Sequence, residues 1–124
     1  MTNKTFTKQN YINIESRRKD GTPVRTPVWF AEEGGALHVW TQANSGKAKR
    51  IRRNDRIRIT PCQADGTPLD EWAEARAEAE ASSEALQRVQ SLLRKKYGIA
   101  FLFFKWMGRK HNYTELRIYP KDSV

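Results

Sequence analysis

Residues 44 to 58 read NSGKAKRIRRNDRIR. Lys47, Lys49, Arg50, Arg52, Arg53, Arg56 and Arg58 stand against one acid, Asp55, so +6 of the chain's net +9 is concentrated here. Asn44 or Ser45 can cap a helix of about two turns. That helix ends near Asn54, a residue that tolerates the left-handed C-terminal conformation. On both sides the hydrophobic period changes from helical to alternating, and this change decides the fold. Upstream, Leu37, Val39 and Thr41 alternate with His38 and Trp40. Downstream, Ile57 and Ile59 point one way and Arg58 and Thr60 the other. A short basic helix is therefore inserted between two strands.

Further out, the alternation continues. Tyr11, Asn13 and Glu15 alternate with Ile12, Ile14 and Ser16, which predicts a strand. Asp20-Gly21 supplies a hairpin turn. Pro23 to Phe30 is the second strand, with Val24, Thr26, Val28 and Phe30 on one face and Arg25, Pro27 and Trp29 on the other. Pro27 cannot donate to a sheet ladder, so it marks either an edge strand or a strand whose irregular backbone lies against a ligand. Glu33-Gly34-Gly35 is the next turn. Asp65-Gly66-Thr67-Pro68 repeats Asp20-Gly21-Thr22-Pro23, a common turn solution used twice.

Residues 71 to 80 set propensity against period. Ala and Glu favour a helix, but from Ala73 to Glu80 small apolar and charged residues alternate strictly. Period reports burial, and the expectation is a strand. Ser82 or Ser83 then caps a helix with Leu86, Val89, Leu93 and Tyr97 on one stripe, Leu92 widening it and Gly98 ending it. Ile99 to Met107, IAFLFFKWM, is apolar nearly all round; it is either core or a lid or dimer surface. Tyr113 to Tyr119 is the last strand. The sum is a mainly β chain with helices (α+β), six mostly antiparallel strands, closed as a small barrel. Residues 1 to 10 are expected to form a flexible arm with Phe6 as its one anchor, and residues 11 to 124 one domain.

Four Trp, four Tyr and five Phe in 124 residues argue for a packed core. A pI near 10.0 favours anionic partners. Cys62 is the single cysteine, which excludes an intrachain disulfide and a cysteine metal cluster. The first ten residues lack an apolar signal region, and Ile99 to Phe104 is too short to span a bilayer, so a cytoplasmic protein is expected. His38 and His111 belong to no metalloprotease, redox or nucleophile-elbow pattern. Glu32-Glu33 and Asp70-Glu71 read as solvated turns. No side chain is expected to act as a catalytic nucleophile or metal ligand; an enzyme of this sequence takes its reactive chemistry from a cofactor. The basic helix itself admits three readings: a phosphate site for a small ligand, a nucleic-acid surface, or a solvated face. Lys47 in its first turn opposes the helix dipole unless an anion sits there too.

Three segments, RRKDGTPVRTPVWF (17 to 30), LHVWTQANSGKAKRIRRNDRIRITPCQADG (37 to 66) and LLRKKYG (92 to 98), carry a resemblance. The chain resembles the pyridoxamine 5'-phosphate oxidase-like split β-barrel superfamily, and within it the short branch that uses the deazaflavin coenzyme F-420. The resemblance implies a six-stranded split barrel and a homodimer with two cofactor sites at its interface. It implies hydride transfer between coenzyme F-420, or FMN as the alternative, and a small organic substrate. It places Arg25, Thr26, Pro27, Val28 and Trp29 along the cofactor, with Trp40 and Thr41 bordering it. Ser45, Lys47, Lys49 and Arg50 would hold its phosphate or its acidic tail. His38 stands where many relatives carry an aromatic and is expected at the pocket edge; residues 99 to 112 match least. Two other functions stay open: a nucleic-acid-binding small β-barrel, with nucleic acid the less favoured partner, and a cofactor-binding protein without turnover.

Overall fold

The computed structural model describes residue 6 and residues 8 to 121. Strand β1 (Tyr11–Arg17) turns through Asp20-Gly21 into β2 (Pro23–Trp29). The Asp20 carboxylate accepts the Thr22 N–H, and Gly21 takes φ +89°, as the turn needs. After Phe30 come β3 (Ala31–Glu33) and β4 (Ala36–Gln42), then helix α1 (Gly46–Arg53), β5 (Arg56–Pro61) and β6 (Ala73–Glu80). Two helices follow, α2 (Ser83–Tyr97) and α3 (Ile99–Met107), before the last strand, β7 (Tyr113–Pro120).

The strands form one antiparallel sheet in the order β2-β1-β5-β6-β7-β4-β3. Its two edges, β2 and β3, are consecutive in the chain and separated only by Phe30. The sheet therefore curls until one bent strand serves both edges, a split β-barrel with three helices. This accounts for seven strands where six are expected: β2 and β3 are one stave, broken at Phe30.

The broken stave needs substitutes for ladder hydrogen bonds. The hydroxyl of Tyr97 accepts the Phe30 N–H at 3.1 Å, and the Lys96 ammonium donates to the Phe30 carbonyl at 2.8 Å. The same two side chains donate to the carbonyls of Asn10 and Gln9. The end of α2 thus clasps the barrel corner. Of the expected arm, residues 1 to 5 and residue 7 lie outside the described residues; Phe6 is buried in the core, edge-on to Phe30.

The barrel interior holds Ile12, Ile14, Ile57, Ile59, Leu37, Val39, Leu116 and Ile118, with Ile51 of α1 among them. β6 is a strand, as its period requires. Ala75 and Ala77 face inward, and their small size leaves room for α1, which packs on β6 and β1. Ser45 caps α1 and Ser82 caps α2. The end of α1 differs from expectation. Asn54 is extended (φ −144°); its N–H donates to the Arg50 carbonyl and its side chain accepts the Arg56 N–H. The next strand begins two residues later, so the chain has no left-handed reversal to make. A second cluster, Ala31, Val89, Leu93 and Phe101, joins α2 and α3 to the outside of the barrel with Trp29, Trp40 and Tyr97. Within α3 only Phe101 is buried, so this segment is not core.

Candidate cofactor site

The β3–β4 ladder runs from Glu33 opposite Ala36 to Ala31 opposite His38. Carried on in the same register it would set Trp29 against Trp40 and Pro27 against Gln42. There, however, β2 is paired with β1 along its whole length. Past Phe30 the two strands splay, and the wedge between them is a cavity of about 450 Å³. Pro27, Val28, Trp29, Trp40 and Thr41 line it together with Tyr11, Gln42, Leu93, Phe101, Phe104 and Tyr113.

Pro27 suits this place. The Arg18 N–H donates to the Thr22 carbonyl, which sets that pair in the hydrogen-bonded register. By the alternation of an antiparallel ladder, Asn13 and Pro27 form a non-hydrogen-bonded pair. The proline nitrogen turns away from β1 toward the wedge, and no ladder bond is lost. β2 is an edge strand, and that edge is one wall of the cavity.

Aromatic pairs wall the cavity. Trp29 stacks on Tyr97 with ring centroids 4.3 Å apart, and Trp40 on Tyr113 at 3.8 Å. Phe104 meets Trp29 edge-on at 5.0 Å, and Phe101 meets Trp40 at 5.2 Å. Each stack locks an indole at one side of the wedge. Burial pushes the Tyr97 phenol up to about 12, so it stays a neutral hydroxyl. The lining carries no charged side chain. Trp40 Nε1 is itself buried and has no hydrogen-bond partner among the described residues. The flat aromatic walls fit a planar ring.

α1 begins four residues beyond Gln42. Its Ser45 hydroxyl is engaged in the cap, accepting the Ala48 N–H. Lys47 is half-buried; desolvation, then Arg50, pull its ammonium below the usual lysine range. Lys49 is exposed. Arg50 donates to Ser16 Oγ at 2.7 Å, Arg52 to the Ala43 carbonyl and Arg53 to the Arg17 carbonyl. Most of the arginine run therefore braces the helix against the barrel. Arg25 lies further down β2, paired with Glu15 at 3.0 Å and stacked over Trp72. Thr26 is on the opposite strand face from Arg25 and Pro27. The structure thus gathers Pro27, Val28, Trp29, Trp40 and Thr41 into one cavity. Ser45, Lys47, Lys49 and Arg50 stand on the adjoining helix, and Arg25 and Thr26 stand outside the lining.

His38 is not at the cavity edge. It is buried between the Glu115 carboxylate and the Glu33 carbonyl, and Arg117 closes the group by pairing with Glu115 and Glu80. Burial pushes the Glu115 carboxyl up, and hydrogen bonds from His38 and Arg117 outweigh it, holding the group below the usual carboxylate range. Cys62 is buried and its thiol pushed up to about 11. Among the described residues no group of His, Cys, Asp or Glu is placed to hold a metal ion.

Of the cavity residues absent from the sequence reading, Tyr11 was reachable, because the Asp20-Gly21 hairpin sets it opposite Trp29. Leu93, Phe101, Phe104 and Tyr113 come from elements whose packing no local pattern encodes.

A family model described as pyridoxamine 5'-phosphate oxidase matches residues 2–122. The chain belongs to the pyridoxamine 5'-phosphate oxidase family. Its fold recurs in solved structures of low sequence identity. A conserved hypothetical protein from Mycobacterium tuberculosis is 22% identical with a TM-score of 0.71, over 95% of this chain and 77% of that one. The heme storage protein HutZ from Vibrio cholerae is 13% identical with a TM-score of 0.72, over 94% and 84%. An F-420 reductase is 16% identical with a TM-score of 0.60, over 98% and 94%. No curated protein sequence matches the chain. At these identities the neighbours establish that this member of the pyridoxamine 5'-phosphate oxidase family has the shared fold.

Proposed function

We propose that the protein is an oxidoreductase that holds coenzyme F-420, or FMN as the alternative, in the wedge between β2 and β4 and acts on a small organic substrate. The observation that carries this is the cavity: five expected cofactor residues meet there between two stacked aromatic pairs. Membership of the family and likeness to an F-420 reductase support it. The bound coenzyme would supply the hydride chemistry. The chain supplies position and dryness. Trp29, Trp40 and Val28 exclude water from the ring's faces. Pro27 presents a wall without a competing N–H. Lys47, half-buried and without an acidic partner among the described residues, meets the phosphate at the start of α1, where the helix dipole adds to it. A homodimer closes the site.

Titration of the purified protein with coenzyme F-420 and with FMN, followed by fluorescence, is the test. Micromolar binding of one is expected; binding of neither sinks the reading. A cofactor-binding protein without turnover is the second reading, favoured by likeness to a heme storage protein; it shares the titration and differs in showing no reduction of any acceptor. The nucleic-acid reading loses ground to the geometry, since Arg50, Arg52, Arg53 and Arg58 hydrogen-bond to protein acceptors.

A further inference from the structure

The apolar stripe of α3 faces solvent. Ile99, Leu102, Phe103 and Trp106 stand at i, i+3, i+4 and i+7, the spacing of one helical face, and Met107 extends it. At 3.6 residues per turn these five span an arc of about 140°. Phe101, on the opposite side, is buried against Trp40. The five stripe residues are between 45% and 82% exposed. The helix is anchored by Phe101, with Phe104 edge-on to Trp29, and shows its broader apolar face outward; a contiguous face of this kind marks an interaction surface.

The charge around the stripe identifies the partner. Between Glu84 and Glu115 the chain has no acid. The same stretch carries Arg88, Arg94, Lys95, Lys96, Lys105, Arg109 and Lys110. Arg94 and Lys95 close α2 just before the helix, and Arg109 and Lys110 follow it. The Arg109 guanidinium lies 4.5 Å over the Trp106 ring.

We propose that α3 docks the protein on an anionic lipid surface. Its stripe enters the boundary between headgroups and acyl chains, and the flanking lysines and arginines meet lipid phosphates. Large apolar side chains with a tryptophan, rimmed by cations, are what an interfacial helix needs. At nine residues α3 is far too short to span the bilayer and lies in its plane. A second copy of the chain fits the stripe less well. A two-fold contact would set each chain's cation-only stretch against the other's, with no acid from that stretch between them.

Co-sedimentation of the full chain with vesicles tests this. Vesicles containing phosphatidylglycerol should bind the protein at least about tenfold more strongly than phosphatidylcholine alone. Phe103→Ser with Trp106→Ser should lower that binding at least about tenfold. Lys95→Glu with Lys110→Glu should erase the preference for phosphatidylglycerol. Unchanged thermal melts would show that both variants fold. The proposal is overturned if neither vesicle sediments the protein, or if the double serine variant binds as the parent does. It is equally overturned if light scattering shows the serine variant splitting a dimer into monomers while vesicle binding is unchanged. None of these readouts involves a cofactor, so a failed cofactor titration leaves them standing.

Discussion

Two residues carry charges whose partners the fold supplies unequally. Glu15 is 1% exposed and pairs with Arg58 at 2.7 Å, Arg25 at 3.0 Å and Arg17 at 3.7 Å. The hydrogen bond from Arg58, ahead of the cost of burial and of the bond from Arg25, holds its carboxyl below the usual range. Arg25 and Arg58 are 50% and 40% exposed, so water softens their loss of a partner. Glu15→Gln should cost about 1–2 kcal/mol by urea unfolding near neutral pH. The sign on pH follows. A carboxylate with a depressed folded pKa stabilises the fold fully above its unfolded value and loses that contribution as pH falls through the folded one. Stability should therefore fall on acidification below about pH 4.5, the ordinary glutamate value, and Glu15→Gln should flatten the fall. Lys47 is the opposite case, a desolvated cation that burial and Arg50 pull down in pKa. If it meets the cofactor's phosphate, Lys47→Ala should weaken binding at least about tenfold, the worth of a charge-assisted bond. Arg53→Ala, at a residue already bonded to the Arg17 carbonyl, should change it less than about threefold. Equal losses in a fluorescence titration would point to diffuse attraction.

The element that most needs support is the stave broken at Phe30. Its peptide is held by side chains of α2 because β2 and β3 belong to opposite sheet edges. Tyr97→Phe removes the acceptor for the buried Phe30 N–H and should cost about 1–3 kcal/mol. It should also raise hydrogen exchange at Phe30 more than at β5 or β6, as expected of a local opening. Uniform acceleration across the sheet would mean the clasp is no separate unit. β6 makes the complementary point. Its letters favour a helix, and the strand forms because both its edges are paired, by β5 and β7, and because Ala75 and Ala77 meet α1 and the barrel interior. Here burial periodicity outweighed propensity.

For the whole molecule, cofactor binding and stability are one measurement. A ligand held only by the folded state at a hundredfold over its Kd adds about 2.7 kcal/mol. Coenzyme F-420 or FMN, whichever binds, should raise the melting temperature by several degrees; a shift from neither would contradict the proposed site. The proposed homodimer is checked by light scattering with and without the ligand. The clasp residues Lys96 and Tyr97 end α2, and the outward stripe of α3 begins at Ile99 two residues on, so the junction of the two helices serves fold and surface together.

Much of this was written locally. Alternation placed the barrel strands, Asp20-Gly21 set the hairpin, and Ser45, Ser82 and Gly98 bounded helices, because these depend on a few neighbouring residues and the backbone's own preferences. The pairing of a Pro-interrupted strand with the Trp40-Thr41 strand, read through family likeness, found one side of the cavity. What local pattern does not contain is which edges meet. The break at Phe30, the splaying of β2 from β4, the turn of His38 toward Glu115 and of Arg50 toward Ser16, and the arrival of Phe101, Phe104 and Tyr113 at the wedge all depend on contacts between residues far apart in the chain. Those contacts are chosen by closure of the barrel and by the requirement that buried polar groups find partners, conditions that only the folded chain imposes.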